Sequence, residues 1–176
     1  MLQLRSTVNC VNTPRILYAL EEMELPYTVE TVPDGTFSAR YGIPGPELID
    51  GEHTLVEVTA IIRHIARRFG VGTLWPEDVF EQAEVDRWLD FQAIRLARSV
   101  AANDTATMAT LLGAFERHID TRAWVLGDDF TLADIGFVPA MNKRAKFPLE
   151  QYPAISAYFD RLGARPAWHR ARANSP

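Results

Sequence analysis

The sequence predicts an α/β unit followed by an all-helical one, and three observations carry that prediction. Strand-like and helix-like segments alternate over residues 1–70, the strand signals stop after Gly70, and apolar positions beyond it recur only at helical spacing. The length of 176 residues and a 47% hydrophobic content are enough to fill a core, which excludes disordered and collagenous readings.

Leu2 to Arg5 reads as the first strand, and Thr13-Pro14 as an N-cap with proline at the first helical position. Ile16, Leu17 and Leu20 carry that helix to near Pro26, after which Tyr27 to Val32 reads as a second strand. Pro33-Asp34-Gly35 breaks the strand, and Gly42, Pro44, Gly45 and Pro46 leave room for at most one helical turn. Leu48-Ile49 and Thr54-Leu55-Val56 flank Asp50-Gly51 as a hairpin; Val58, Ile61, Ile62 and Ile65 then mark a helix to Phe69.

Gly72 to Pro76 reads as a linker. Beyond it, Val85, Trp88, Leu89, Gln92 and Leu96 form one helical stripe. Met108, Leu111, Leu112, Phe115 and Ile119 form the next, with Asn103-Asp104-Thr105 between them. Thr131 followed by Asp134 predicts a capping box, with Phe130 and Ile135 placed as a hydrophobic staple. Ile155, Tyr158, Phe159 and Leu162 give another amphipathic helix, and Arg165-Pro166 opens a last short one.

Charge and cysteine content narrow the function classes. With 18 Lys and Arg against 23 Asp and Glu, the net charge of -5 provides no overall positive field for nucleic acid. The single cysteine, Cys10, closes no intrachain disulfide and favours a reducing compartment. No secretory signal and no run of about 20 apolar residues is present, so the expectation is a soluble, cytoplasmic protein with no membrane partner. His53, His64, His118 and His169 show no metal-ligand spacing, and no metal is expected. Lys143, Arg144, Lys146 and Arg172 read as a solvated positive face.

The stretch Pro46-Glu47-Leu48-Ile49-Asp50-Gly51, followed by Leu55 and Glu57, resembles the proline, hairpin and acidic-residue signature of the cytosolic glutathione transferases. Leu74-Trp75-Pro76, Ala83 and Val85-Asp86-Arg87-Trp88 are similar to that family's linker and first long helix of the second domain. Gly127, Phe130-Thr131, Ala133-Asp134, Tyr152-Pro153 and Arg165-Pro166 are similar to its later helical signatures. The resemblance implies a thioredoxin-like glutathione-binding domain over 1–71 and an all-helical domain over 77–176 that lines the site of a small hydrophobic second substrate. It also implies a homodimer.

The chemistry this implies is stabilisation of a thiolate. A free thiol titrates near pH 8.5, and lowering it by roughly two units requires about 2.7 kcal/mol, which one hydrogen bond to the charged sulfur largely supplies. Cys10, with Arg15 five residues on, falls where the family's Cys or Ser often stands, and Ser6, Thr7 and Asn9 are alternatives. By resemblance, a cis Pro46 presents the main chain of Gly45 to the peptide backbone of glutathione. Glu57 and the N–H groups of the following helix hold its γ-glutamyl end. Val58 departs from the family's Ser or Thr and lacks a hydroxyl donor, for which Thr59 points elsewhere. Arg40 is the candidate cation for the glycyl carboxylate, in a stretch shorter than the family's. Gln92, Arg95 and Leu96 are candidate second-substrate contacts.

Three functions follow from this reading. The first is an enzyme that adds or transfers glutathione to a hydrophobic electrophile. The second is a monothiol thiol transferase in which Cys10 itself attacks. The third is a non-catalytic binding module on the same fold.

Overall fold

The computed structural model describes residues 1–176, and the chain divides into two compact units, Met1–Gly70 with Pro166–Pro176, and Val71–Arg165. The first unit runs β1 (Leu2–Ser6), α1 (Thr13–Glu22), β2 (Tyr27–Thr31), α2 (Thr36–Tyr41), β3 (Glu47–Asp50), β4 (His53–Val56) and α3 (Val58–Phe69). Its sheet has the order β2-β1-β3-β4, with β1 parallel to β2 and antiparallel to β3, and β3 antiparallel to β4. This is the thioredoxin-like arrangement expected.

Side chains alternate across a strand, so each face of the sheet has its own chemistry. Leu2, Leu4 and Ser6 of β1 are buried, and Leu48 and Asp50 lie opposite Leu4 and Leu2 on the same face. There Ile16, Leu17 and Leu20 of α1 and Ile61, Ile62 and Ile65 of α3 are also buried. Asp50 ties β3 to α3 through His64 Nε2 at 2.7 Å and through Arg68. On the other face Arg5 pairs with Glu30 and with the buried Glu47, which also accepts from the Tyr41 hydroxyl at 2.9 Å.

Four local expectations are corrected. The cap of α1 is Asn12, not Thr13, and Thr13 instead spends its hydroxyl on Ser6. The segment before Pro46 holds a six-residue helix, α2, between Gly35 and Gly42; both adopt left-handed φ, which glycine does at no steric cost. Leu74, Trp75 and Pro76 form no free linker: they are buried in the second unit, and the Leu74 carbonyl accepts from Leu132 N–H at 2.9 Å. Finally, residues Pro166–Pro176, read as part of the helical domain, pack with the first unit. The helix they contain, α10 (Pro166–Ala173), is held by a Tyr18–Trp168 ring contact and by Arg170 on Glu21.

The second unit is all-helical. It comprises α4 (Val79–Asp90), a π-helical segment (Phe91–Leu96), α5 (Ala97–Ala101), α6 (Thr105–Ile119), α7 (Leu132–Gly136), α8 (Val138–Asn142), two short 3-10 turns and α9 (Pro153–Ala164). The stripe from Val85 to Leu96 is therefore continuous but passes through a π turn, and its core joins Trp88, Phe115, Phe137 and Tyr158. No helix is long and apolar enough to cross a membrane.

The capping box at Thr131 and Asp134 is present. Asp134 is fully buried, and its carboxylate accepts from Val125 N–H at 2.9 Å, Thr131 N–H at 2.9 Å and the Tyr158 hydroxyl at 3.0 Å. Burial pushes its carboxyl up to about 6 against these donors. The folded value lies above the unfolded one. The stability linked to its proton is therefore full below pH about 4 and is lost as pH rises through about 6. Asp134→Ala strands two backbone donors and is expected to lower unfolding free energy by about 2–4 kcal/mol. Urea denaturation from pH about 4 to 7 checks both points, with the gap to the parent protein narrowing as pH rises.

Candidate functional site

The register of the sheet gathers the candidate residues at one end. Arg5 lies opposite Glu47, and Glu47 opposite Val56, so the segments just beyond these three positions are neighbours. They are the loop after Ser6 that carries Cys10, the Gly45–Pro46 pair before β3, and Glu57 after β4. Val32 N–H donates to the Ser6 carbonyl at 2.9 Å and closes the same end on the β2 side.

Cys10 is half-buried, in a turn where its N–H donates to the Thr7 carbonyl at 3.4 Å and its carbonyl accepts from Thr13 N–H at 3.1 Å. Helix α1 starts three residues later, so Cys10 stands ahead of it rather than within its first turn. Ser6, another thiolate-donor candidate, is fully buried, with its hydroxyl bonded to Thr13 and to the Thr7 carbonyl at 3.1 Å. The alternation of β1 turns it inward, which takes it out of reach of a ligand.

The Gly45–Pro46 bond is cis. Gly45 has φ +85°, and a Cβ there would overlap the ring of Phe37, the one buried residue of α2. Phe37 therefore fills the volume that a side chain at position 45 would occupy. Glu57 is exposed with φ +70°, uncommon for a residue with a side chain, and it opens α3 without a side-chain cap. Val58 follows it and is buried. Arg40 is not a free cation: it lies 4.0 Å from Glu47 and over the Tyr41 ring, with most of its side chain exposed. Gln92 and Leu96 are buried in the second unit, whereas Arg95 is exposed.

Sequence reasoning missed Glu47, Tyr41 and Phe37, although a Glu directly after Pro46 in an apolar strand was a visible signal. It used Arg15 only as a landmark. Arg15 is buried, its Nε and Nη2 lack a protein hydrogen-bond partner, and burial followed by the charge of Arg63 brings it down to about 10. Buried donors left unpaired are rare and costly, which sets this guanidinium apart from the paired buried carboxylates Glu47 and Asp50.

Residues 95–166 match the family described as Glutathione S-transferase, C-terminal domain. Over those residues the chain is similar to the glutathione S-transferases. It is 25% identical over 199 residues to Glutathione S-transferase GstB of Escherichia coli (strain K12), covering 95% of each. It is 27% identical over 139 residues to Probable elongation factor 1-gamma 1 of Arabidopsis thaliana, covering 65% of this chain and 33% of that protein. Among solved structures, glutathione transferase F7 from Populus trichocarpa superposes with a TM-score of 0.85 at 21% identity, covering all of both chains. A theta-class glutathione S-transferase from Xanthomonas axonopodis pv. citri, solved with glutathione bound, gives a TM-score of 0.76 at 24% identity, covering 97% and 96%. These likenesses show the fold of the chain.

Gly45→Ala is expected to cost about 2 kcal/mol or more, from its positive φ and its overlap with Phe37. A double-mutant cycle with Phe37→Ala measures the origin of that cost: the pair loses less stability than the sum of the single changes.

Proposed function

We propose that the protein binds glutathione at this end of the sheet and adds it to a small hydrophobic electrophile. The observation that carries the reading is the convergence of Cys10, Gly45–Pro46 and Glu57, imposed by the pairing of β1, β3 and β4. In this reading the main chain around Gly45 pairs with the peptide backbone of glutathione. Glu57 takes its amine, and the uncapped N–H groups of α3 take its α-carboxylate. The Cys10 thiol donates a hydrogen bond to the glutathione sulfur and favours its thiolate. That thiolate attacks the electrophilic carbon, a C–S bond forms, and the electron pair leaves with the departing group or is quenched by a proton from water. The protein would act in the cytoplasm as a homodimer, without nucleic acid or membrane.

Calorimetric titration with glutathione tests the binding step. A saturable signal below millimolar concentration is expected, weakened about tenfold by Glu57→Gln. Absence of heat up to millimolar glutathione overturns the reading. Cys10→Ser is expected to retain partial conjugating activity, because a hydroxyl still donates. Complete loss would point to the thiol transferase instead, with Cys10 attacking a disulfide.

A second reading, a binding module without catalysis, draws on Phe37 over Gly45, on Val58 in place of a hydroxyl residue, and on the elongation factor relative. No heat with glutathione up to millimolar concentration, from a protein that unfolds cooperatively in urea, would favour it.

A further inference from the structure

The loop that carries Cys10 has little packing of its own. Val8 and Val11, on either side of the cysteine, are 57% and 80% exposed, and Asn9 is exposed with φ +57°. A left-handed residue that is not glycine persists only where its surroundings hold it, and a loop without apolar burial opens easily. The turn bonds from Thr7 to Cys10 and from Cys10 to Thr13 close the loop on itself. Asn9 N–H reaches outside it, donating to the carbonyl of Pro176 at 3.0 Å.

Pro176 stands at the end of an anchored arm. Ala167, Trp168 and Ala171 of α10 are buried, and the Trp168 ring meets Tyr18 of α1 at 5.4 Å between centroids. Arg170 donates from Nε to the Glu21 carboxylate at 2.7 Å and from Nη2 to the Glu21 carbonyl at 3.0 Å. Asn174 donates to the Glu21 carboxylate and to the Tyr27 hydroxyl, each at 2.9 Å, while Tyr27 donates to the same carboxylate. Glu21 thus fixes the arm two residues before its contact with the loop.

We propose that residues 174–176 are a positioning strap: anchored through Glu21 and Tyr27, they hold the Asn9–Cys10 turn in place and set how far the Cys10 thiol is presented. The inference rests on the proposed function only for the importance of that thiol.

The test is the rate at which iodoacetamide alkylates Cys10, the single cysteine, across a range of pH. Deleting residues 174–176 is expected to raise the rate about fivefold, the change in local opening that loss of one net hydrogen bond brings. Asn174→Ala, which loosens the anchor but keeps the Pro176 carbonyl, is expected to give a smaller rise. A change that merely softened the fold would lower the melting temperature without separating the two rate–pH profiles. Coincident profiles for the deleted and parent proteins therefore overturn the proposal. Hydrogen exchange in the unmodified protein gives a second reading that needs no variant. The Asn9 amide should be protected, and exchange at the rate of an unstructured peptide also overturns the strap. No glutathione enters either measurement, so their failure leaves the glutathione-binding reading standing.

Discussion

The antiparallel pairing of β3 with both β1 and β4 is the constraint on which the site depends. With Arg5, Glu47 and Val56 in one row, the segments that follow β1, precede β3 and follow β4 cannot separate without unzipping the ladder. The segments after β1 and β4 each carry a residue at positive φ, Asn9 and Glu57, which an ordinary strand end lacks. Neither conformation is favourable in isolation. They persist because the ladder fixes their flanks, in the way that local strain gathers where the surrounding structure over-determines the chain.

The two faces of the sheet hold their helices by different means. Toward α1 and α3 the sheet offers Leu4 and Leu48, and burial of aliphatic surface is the main stabilising term. Toward α2 it offers Gln3, Arg5 and Glu47, and α2 contributes Phe37 and the Tyr41 hydroxyl. A buried carboxylate is tolerable only when paired and hydrogen-bonded, and Arg5 and Tyr41 meet that requirement for Glu47. The short segment before Pro46 is therefore held by one ring and one polar cluster, which is why Arg40 is drawn toward Glu47. Arg15 shows the opposite case, a buried cation whose Nε and Nη2 have no protein partner. Its cost must be offset by the packing around α1, since the charge itself lowers stability.

The sequence made most of the secondary structure legible because each element carries a local signal. The 3.6-residue stripes of α3 and α6, the Asp50-Gly51 hairpin and the Thr131–Asp134 capping box each need only residues close in the chain. Where the reading slipped, a distant partner had intervened. Thr13 was free to cap α1 until Ser6 claimed its hydroxyl. Pro166–Pro176 read as helical-domain sequence until Trp168 and Arg170 found α1.

Of the candidate site, the sequence alone determined Cys10, Pro46, Glu57 and Val58 as residue types at particular spacings, together with the acidic, single-cysteine character of the chain. Only the tertiary structure decided which side chains are buried and which stay exposed at that end of the sheet. Strand alternation turned Ser6 inward, cross-strand register put Glu47 beside Arg5, and Phe37 came to rest on Gly45. Propensity and capping act over a few residues and are written in order along the chain. Register and burial join positions tens of residues apart, and they exist only once the sheet has closed.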